Sequence, residues 1–201
     1  MPVTQEGHWT YTVDEWTRDP YTQLLNALPF TLKVVYDVGA NVGGWAKVMQ
    51  DRYDNTLEMH CFEPVTENFE ALKRNVPTAH HHKWGIFYGA TESKVMSRGG
   101  TNCGAYFVEQ IDAGEPRYEH DEVMELRPFE KQGLPKPDLV KLDIEGSEEN
   151  VIEHSTMLKK TKWILVEWHP NTDAVAFFKK HLPNHFVVLN VASNQYLLCQ
   201  K

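Results

Sequence analysis

Six side chains in this sequence have the types and neighbours to do chemistry: Asp37, Glu63, Asp143, Glu145, Glu167 and His169. Asp37 opens Asp37-x-Gly39-x-Asn41-x-Gly43, which follows the β-branched run KVVYDV and precedes a helical pattern. Glycines let a backbone turn sharply and approach a ligand with no Cβ in the way. A helix beginning there offers its N-terminus to that ligand. Glu63 lies 20 residues beyond Gly43, in Glu63-Pro64, where a carboxylate can accept hydrogen bonds from both hydroxyls of a ribose. The two features together suit an adenosine-containing cofactor. NAD sites usually carry GxGxxG, whereas this turn reads GANVGG, and it lacks the lysine followed by Ser or Thr of a phosphate-cradling loop.

The other four residues fall in two segments, VKLDIEGSE and EWHP. Asp143 ends an apolar run and Glu145 sits at the lip of the turn that follows. Period-2 alternation places Glu167 and His169 on one face of a strand end. An Asp, a Glu and a His at one sheet edge either hold a divalent metal or act as acid/base groups. Hydrogen bonding and proton transfer are the favoured roles, and no metal is assigned. His169 has the reference pKa nearest neutrality, and Asp143 has the stronger positional argument, so both stand as candidate bases, with Glu145 and Glu167 as orienters or alternates.

Positioning these groups requires alternating strands and helices. KVVYDV (33–38), LEMHCF (57–62), HHHKWGIF (80–87), PDLVKLDIEG (137–146) and WILVEWHP (163–170) read as strands, the apolar ones buried on both faces. Between them, Trp45, Val48 and Met49, then Phe69, Leu72 and Val76, then Val175, Phe178 and Leu182 recur at helical spacing. Ser147 is a candidate N-cap, with Glu148 and Glu149 favourably placed at the positive end of the helix dipole. Short strands are expected near 94–98, 104–109 and 122–127. The alternation implies a parallel α/β sheet with helices on both faces. The ending FVVLNVA-SN-QYLLCQ has too short a link for a parallel crossover, so the last strand is expected to run antiparallel. A dinucleotide-binding dehydrogenase domain would instead finish on parallel strands.

Composition narrows the function further. The 201 residues carry a net charge of -8, which leaves no basic footprint for nucleic acid. No apolar stretch is long enough to span a membrane, and the N-terminus does not read as a signal peptide. Cys61, Cys103 and Cys199 have no CxxC spacing and read as reduced thiols, which implies a cytoplasmic protein. Residues 1–30 form an aromatic-bearing arm (Trp9, Tyr11, Trp16, Tyr21). Residues 31–201 form one domain, with an irregular insertion at about 99–136 of a length that is more often functional than decorative.

VVYDVGANVGGWA, CFEP and VKLDIEGSEENVIE together resemble the FkbM family of S-adenosylmethionine-dependent methyltransferases, over roughly residues 33–170. The resemblance implies a Rossmann-like seven-stranded sheet of order 3-2-1-4-5-7-6 with strand 7 antiparallel. It implies S-adenosyl-L-methionine as cofactor, held by Asp37, Gly39, Ala40, Asn41 and Gly43 around the methionine part and by Glu63 at the ribose. Gly85 and Ile86 would lie near adenine, and Asp143 where methyl group meets acceptor. The implied acceptor is a hydroxylated small molecule, sugar-like or polyketide-like, methylated on oxygen. A non-catalytic module of the same fold and a NAD-linked oxidoreductase are the competing readings.

Overall fold

Val34, Val35 and Val38 favour an extended backbone, and the segment Val34–Val38 forms β1, buried along almost its whole length at the centre of a sheet. In the computed structural model, residues 24, 26–28, 31–89, 92–97, 105–107, 122–191 and 194–201 are described. The elements that follow β1 are α1 (Gly44–Arg52), β2 (Glu58–Phe62), α2 (Thr66–Asn75), β3 (His80–His82) and β4 (Gly85–Ile86). Next come β5 (Glu92–Ser97), β6 (Ala105–Phe107), β7 (Glu122–Arg127), β8 (Leu139–Leu142), α3 (Glu148–His154) and β9 (Trp163–Glu167). The chain ends with α4 (Ala174–His181), β10 (His185–Val191) and β11 (Gln195–Gln200). No helix among the described residues is long and apolar enough to cross a membrane.

The main sheet has seven strands in the order β10-β11-β9-β8-β1-β2-β3. Read from the other edge, it is the expected 3-2-1-4-5-7-6 arrangement. Strands β3, β2, β1, β8 and β9 pair in parallel, and β11 runs antiparallel to both β9 and β10. Each parallel step contains a helix or a long excursion, whereas β10 and β11 are joined only by residues 192–194, which permits a hairpin and nothing else.

The sheet divides the core into two layers. Val35, Met59, Cys61, Leu139, Leu165 and Leu197 face Trp45 and Met49 of α1 and Leu72 of α2. Tyr36, Val38, Phe62, Val140, Leu142 and Ile164 face Val151 and Ile152 of α3 and Phe178 of α4. In α4 and at its C-cap the buried positions are Ala174, Phe178 and Leu182, an i, i+4, i+8 stripe, while Val175 is 38% exposed. The expected Val175 face is therefore corrected: Asp173 caps the helix one residue before Ala174 and sets the rotation. Its carboxylate accepts the N–H groups of Val175 and Ala176 at 3.0 and 3.1 Å. Asp173→Ala is expected to cost about 0.5–2 kcal/mol of stability, which chemical denaturation would measure.

The segment 80–87 departs from one continuous strand. His80–His82 pairs with β2, and after Lys83-Trp84 the short β4 leaves the main sheet to pair in parallel with β7. Trp84 marks the break, edge-on to Phe62 with ring centroids 4.9 Å apart and with the Arg127 guanidinium 5.4 Å from its centre. Strands β5, β6 and β7 realise the short strands expected near 94–98, 104–109 and 122–127, and with β4 they form a second, four-stranded sheet. The aromatic positions of the N-terminal arm lie outside the described residues, as does Cys103, while Cys61 and Cys199 are buried free thiols.

Candidate functional site

The carboxyl ends of β1, β2, β8 and β9 lie side by side, so a residue at each of those ends reaches one edge of the sheet. Asp37 on β1, Glu63 after β2, Asp143 after β8, and Glu167 and His169 at and after β9 all occupy that edge. The glycine turn spans the first gap. Gly39 and Ala40 both donate their N–H to the carbonyl of Phe62, at 3.1 and 3.0 Å, which fixes the turn to the end of β2. Asn41 has a φ of 50° and Gly43, which precedes α1, one of 91°.

The glycines serve packing as well as any ligand. A Cβ on Gly39, at φ 79°, would stand 1.8 Å from the carbonyl oxygen of Asp143. One on Gly43 would meet Val76 and Leu72 of the neighbouring helix end at 2.7 and 2.8 Å. Glycine is thus required at both positions by the close approach of the turn to β8 and α2.

Lys141 joins the turn to the acidic groups, and sequence reasoning gave it no role. It is only 3% exposed, and its Nζ lies 3.1 Å from Asp37 Oδ1, 3.2 Å from Asp143 Oδ2 and 3.1 Å from the Gly39 carbonyl to which it donates. Burial alone would lower the Lys141 pKa, but the two carboxylates override it and hold the ammonium above its ordinary range. Burial pushes the Asp37 carboxyl up, against the pull of Lys141. The available signal was a lysine inside an otherwise apolar strand, since such a residue is almost never buried unless paired.

Glu63 is 5% exposed and turns back onto the glycine loop. Its Oε2 accepts the N–H of Asn41 at 2.8 Å, and its Oε1 accepts the N–H of Val65 at 3.0 Å. Burial pushes its carboxyl up to about 7 despite these bonds. Oε1 also accepts from Asn68 Nδ2 at 3.5 Å, and Oε2 keeps a second lone pair for a further donor. Gly85 is buried beside Pro64, and Ile86 is packed into the second core layer.

The second cluster is built around His169. Its Nδ1 lies 2.9 Å from Oε1 of Glu148, a fully buried carboxylate whose two oxygens also accept the N–H groups of Ile144 and Gly146 at 3.0 Å each. The other ring nitrogen, Nε2, faces Glu145 Oε2 at 3.5 Å and Glu167 Oε1 at 3.7 Å. Burial alone would lower the His169 pKa. The hydrogen bond and charge of Glu148, with the charges of Glu145 and Asp143, raise it to about 9. Burial raises the Glu145 carboxyl, and His169 opposes that. Glu145 takes a φ of 54°, which turns the chain so that Glu148 can reach back under the loop. Ser147 holds the N-cap position with no side-chain cap bond. Glu148, read from sequence only as a dipole partner, is instead the acceptor that organises the turn.

One donor atom each from Asp143, Glu145 and His169 lies within 4.8 Å of the others, close enough to share a cation. The same arrangement, with Nδ1 tied to a buried carboxylate and Nε2 facing the partly exposed Glu145 and Glu167, is also that of a histidine set up to take a proton.

Known proteins resemble this chain in family and in fold. The sequence model of the family described as Methyltransferase FkbM domain matches residues 37–196. The hexuronic acid methyltransferase AglP of Haloferax volcanii is 27% identical over 153 residues, covering 70% of this chain and 57% of that protein. The chain thus spans less than two thirds of that relative's length. Among solved structures, precorrin-6y C5,15-methyltransferase from Geobacter metallireducens superposes with a TM-score of 0.52 at 13% identity, covering 90% of this chain and 88% of that one. The ribosomal protein L11 methylase of Lactobacillus delbrueckii gives 0.51 at 12%, over 93% and 79%. Human N-acetylserotonin methyltransferase, solved with S-adenosylmethionine, gives 0.50 at 12%, over 94% and 53%. At these identities the likeness is one of fold.

Proposed function

The chain belongs to the FkbM methyltransferase domain family, and from that premise we propose that it moves a methyl group from S-adenosyl-L-methionine to a hydroxyl oxygen of a small, sugar-like acceptor. The observation that carries the cofactor reading is Glu63, a buried carboxylate at the end of β2 bonded to the N–H of Asn41 inside the glycine turn. Glu63 accepts the ribose hydroxyls, and Asp37, Gly39, Ala40, Asn41 and Gly43 frame the methionine part. Asp37 Oδ2, buried with no hydrogen-bond partner among the described residues, fits a cationic ligand. Gly85 and Ile86 border the adenine. When bound, the cofactor supplies the electrophilic methyl group.

The chain's own task is then alignment and proton removal. An in-line displacement depends on orientation, which is worth as much as ~7–11 kcal/mol in well-positioned systems. Lys141 engages Asp143 Oδ2, which supports His169 Nε2 over Asp143 as the base that takes the hydroxyl proton. Glu145 and Glu167 border that nitrogen and orient the acceptor. No metal is invoked for this step. The hexuronic acid named for the Haloferax relative supports a sugar acceptor. Residues 1–30 and the insertion at 99–136 select it, and the buried free thiols of Cys61 and Cys199 support a cytoplasmic setting.

Calorimetric titration with S-adenosylmethionine, S-adenosylhomocysteine and NAD tests the reading. Binding of both sulfur nucleotides and not of NAD is expected. Glu63→Gln should weaken that binding by ~1.5–3 kcal/mol, about 10- to 150-fold. Hydroxyl donors prefer the ionised carboxylate, so affinity should rise as pH passes upward through about 7, the value to which burial raises Glu63. Unchanged affinity in Glu63→Gln would remove this residue from the ribose. Absence of sulfur-nucleotide binding by folded protein would end the methyltransferase proposal.

A further inference from the structure

A second group of ligand-type side chains lies away from the carboxyl edge, on the first halves of β2 and β3. The two strands pair in parallel with His60 opposite His80 and Phe62 opposite His82. Directly paired residues point to the same face, and Glu58 joins them because it lies two positions before His60. Glu58, His60 and His80 each present one donor atom within 4.8 Å of the other two. The rings of His60 and His80 are stacked with centroids 4.6 Å apart. His60 Nε2 lies 3.3 Å from Glu58 Oε1, and His60 Nδ1 lies 3.0 Å from Nε2 of His82.

We propose that Glu58, His60 and His80 form a binding site for a divalent late first-row transition metal, with zinc as its representative. Two imidazoles and one carboxylate are a donor set that suits zinc, with a water in the fourth position. Imidazole pairs favour such ions over magnesium or calcium, which prefer all-oxygen sites. Ligand atoms bonded tetrahedrally at ~2.1 Å stand about 3.4 Å apart, so the observed spread must close by roughly an ångström. The two exposed members can make that movement: the Glu58 side chain is 48% accessible and His80 is exposed, whereas His60 is buried and fixed. His82 holds the second nitrogen of His60, the outer-shell contact that sets the tautomer and ring plane of a metal-bound histidine. A bound ion would fasten β3, at the end of the sheet, to β2.

The test is calorimetric titration of ZnCl2 into the chelator-treated full chain, with nitrogen NMR of the histidine rings as second readout. Wild type should bind zinc with shifts at His60 and His80. His80→Ala and Glu58→Gln, both at exposed positions that leave the core intact, should each weaken that event at least tenfold, while His169→Ala leaves it in place. Zinc uptake at two places, one lost with His80→Ala and the other with His169→Ala, also supports the assignment. No uptake by wild type, or uptake abolished by His169→Ala and untouched by His80→Ala and Glu58→Gln, overturns it. The outcome is independent of cofactor binding, so it stands or falls apart from the methyltransferase proposal.

Discussion

His169→Ala is expected to lower turnover about 10²- to 10⁴-fold, the usual contribution of a general base, with affinity for S-adenosylmethionine nearly unchanged. His169 bonds to Glu148 and faces Glu145 and Glu167, whereas the glycine turn is held by Lys141 and Phe62. The pH dependence gives a sharper check. A base acts when deprotonated, and Glu148, Glu145 and Asp143 keep His169 protonated up to about 9. The logarithm of kcat/KM should therefore climb with a slope near one above neutrality and level off near pH 9. Glu148→Gln removes the charge that does most to raise this pKa, so the inflection should fall toward the ordinary histidine value of about 6.5. The plateau should fall as well, because an amide has one acceptor oxygen and cannot take the N–H groups of His169, Ile144 and Gly146 together as the carboxylate does. The sign for stability is opposite. A histidine whose folded pKa is raised stabilises the fold fully below about 6.5 and loses that contribution as pH rises through about 9. Melting temperatures of wild type and Glu148→Gln should therefore converge in alkali. An inflection that stays put in Glu148→Gln would take His169 out of the proton path.

How far such a site can be read from sequence depends on whether its causes are local. The strands β1, β2, β8 and β9 were legible because β-branched and apolar runs fix both the element and its two-sided burial, and the acidic or basic residue ending each run then falls at the carboxyl edge. The antiparallel β11 followed from a link too short for a crossover. The break at Lys83-Trp84 was not legible, since what draws Gly85–Ile86 out of the main sheet is β7, distant in sequence. The same holds for Gly39. Its spacing marks the turn, but the atom that forbids a side chain there is the carbonyl of Asp143. Glu148 shows a third case. A glutamate in the first turn of a helix looks like a dipole partner, and only the left-handed conformation of Glu145 directs it back to Ile144, Gly146 and His169.

Lys141→Met should cost the fold about 3–5 kcal/mol, the penalty for stripping a buried ion pair of one partner. Asp37 is fully buried, and Lys141 is the cation that faces it. Methionine matches the length of the lysine stem, so packing beside Trp45, whose ring lies 6.0 Å from Nζ, is largely kept and the loss is electrostatic. The pH dependence follows from that. Burial already raises the Asp37 pKa, and without Lys141 it rises further. Between the unfolded carboxyl value and this raised one, the folded chain binds a proton that the unfolded chain has released, so stability of the variant falls as pH rises. Denaturation midpoints of wild type and Lys141→Met should thus lie closer at pH 4 than at pH 7. Adding Asp37→Asn removes the stranded charge and should restore part of the loss at pH 7, a coupling that a double-mutant cycle measures directly. Additive losses, with no recovery in the double variant, would mean that Lys141 acts by packing alone. The same lysine donates to the Gly39 carbonyl, so releasing it also frees the glycine turn from β8. Cofactor affinity should therefore weaken in Lys141→Met at temperatures where the variant is still folded, which separates the loss of the turn from the loss of the fold.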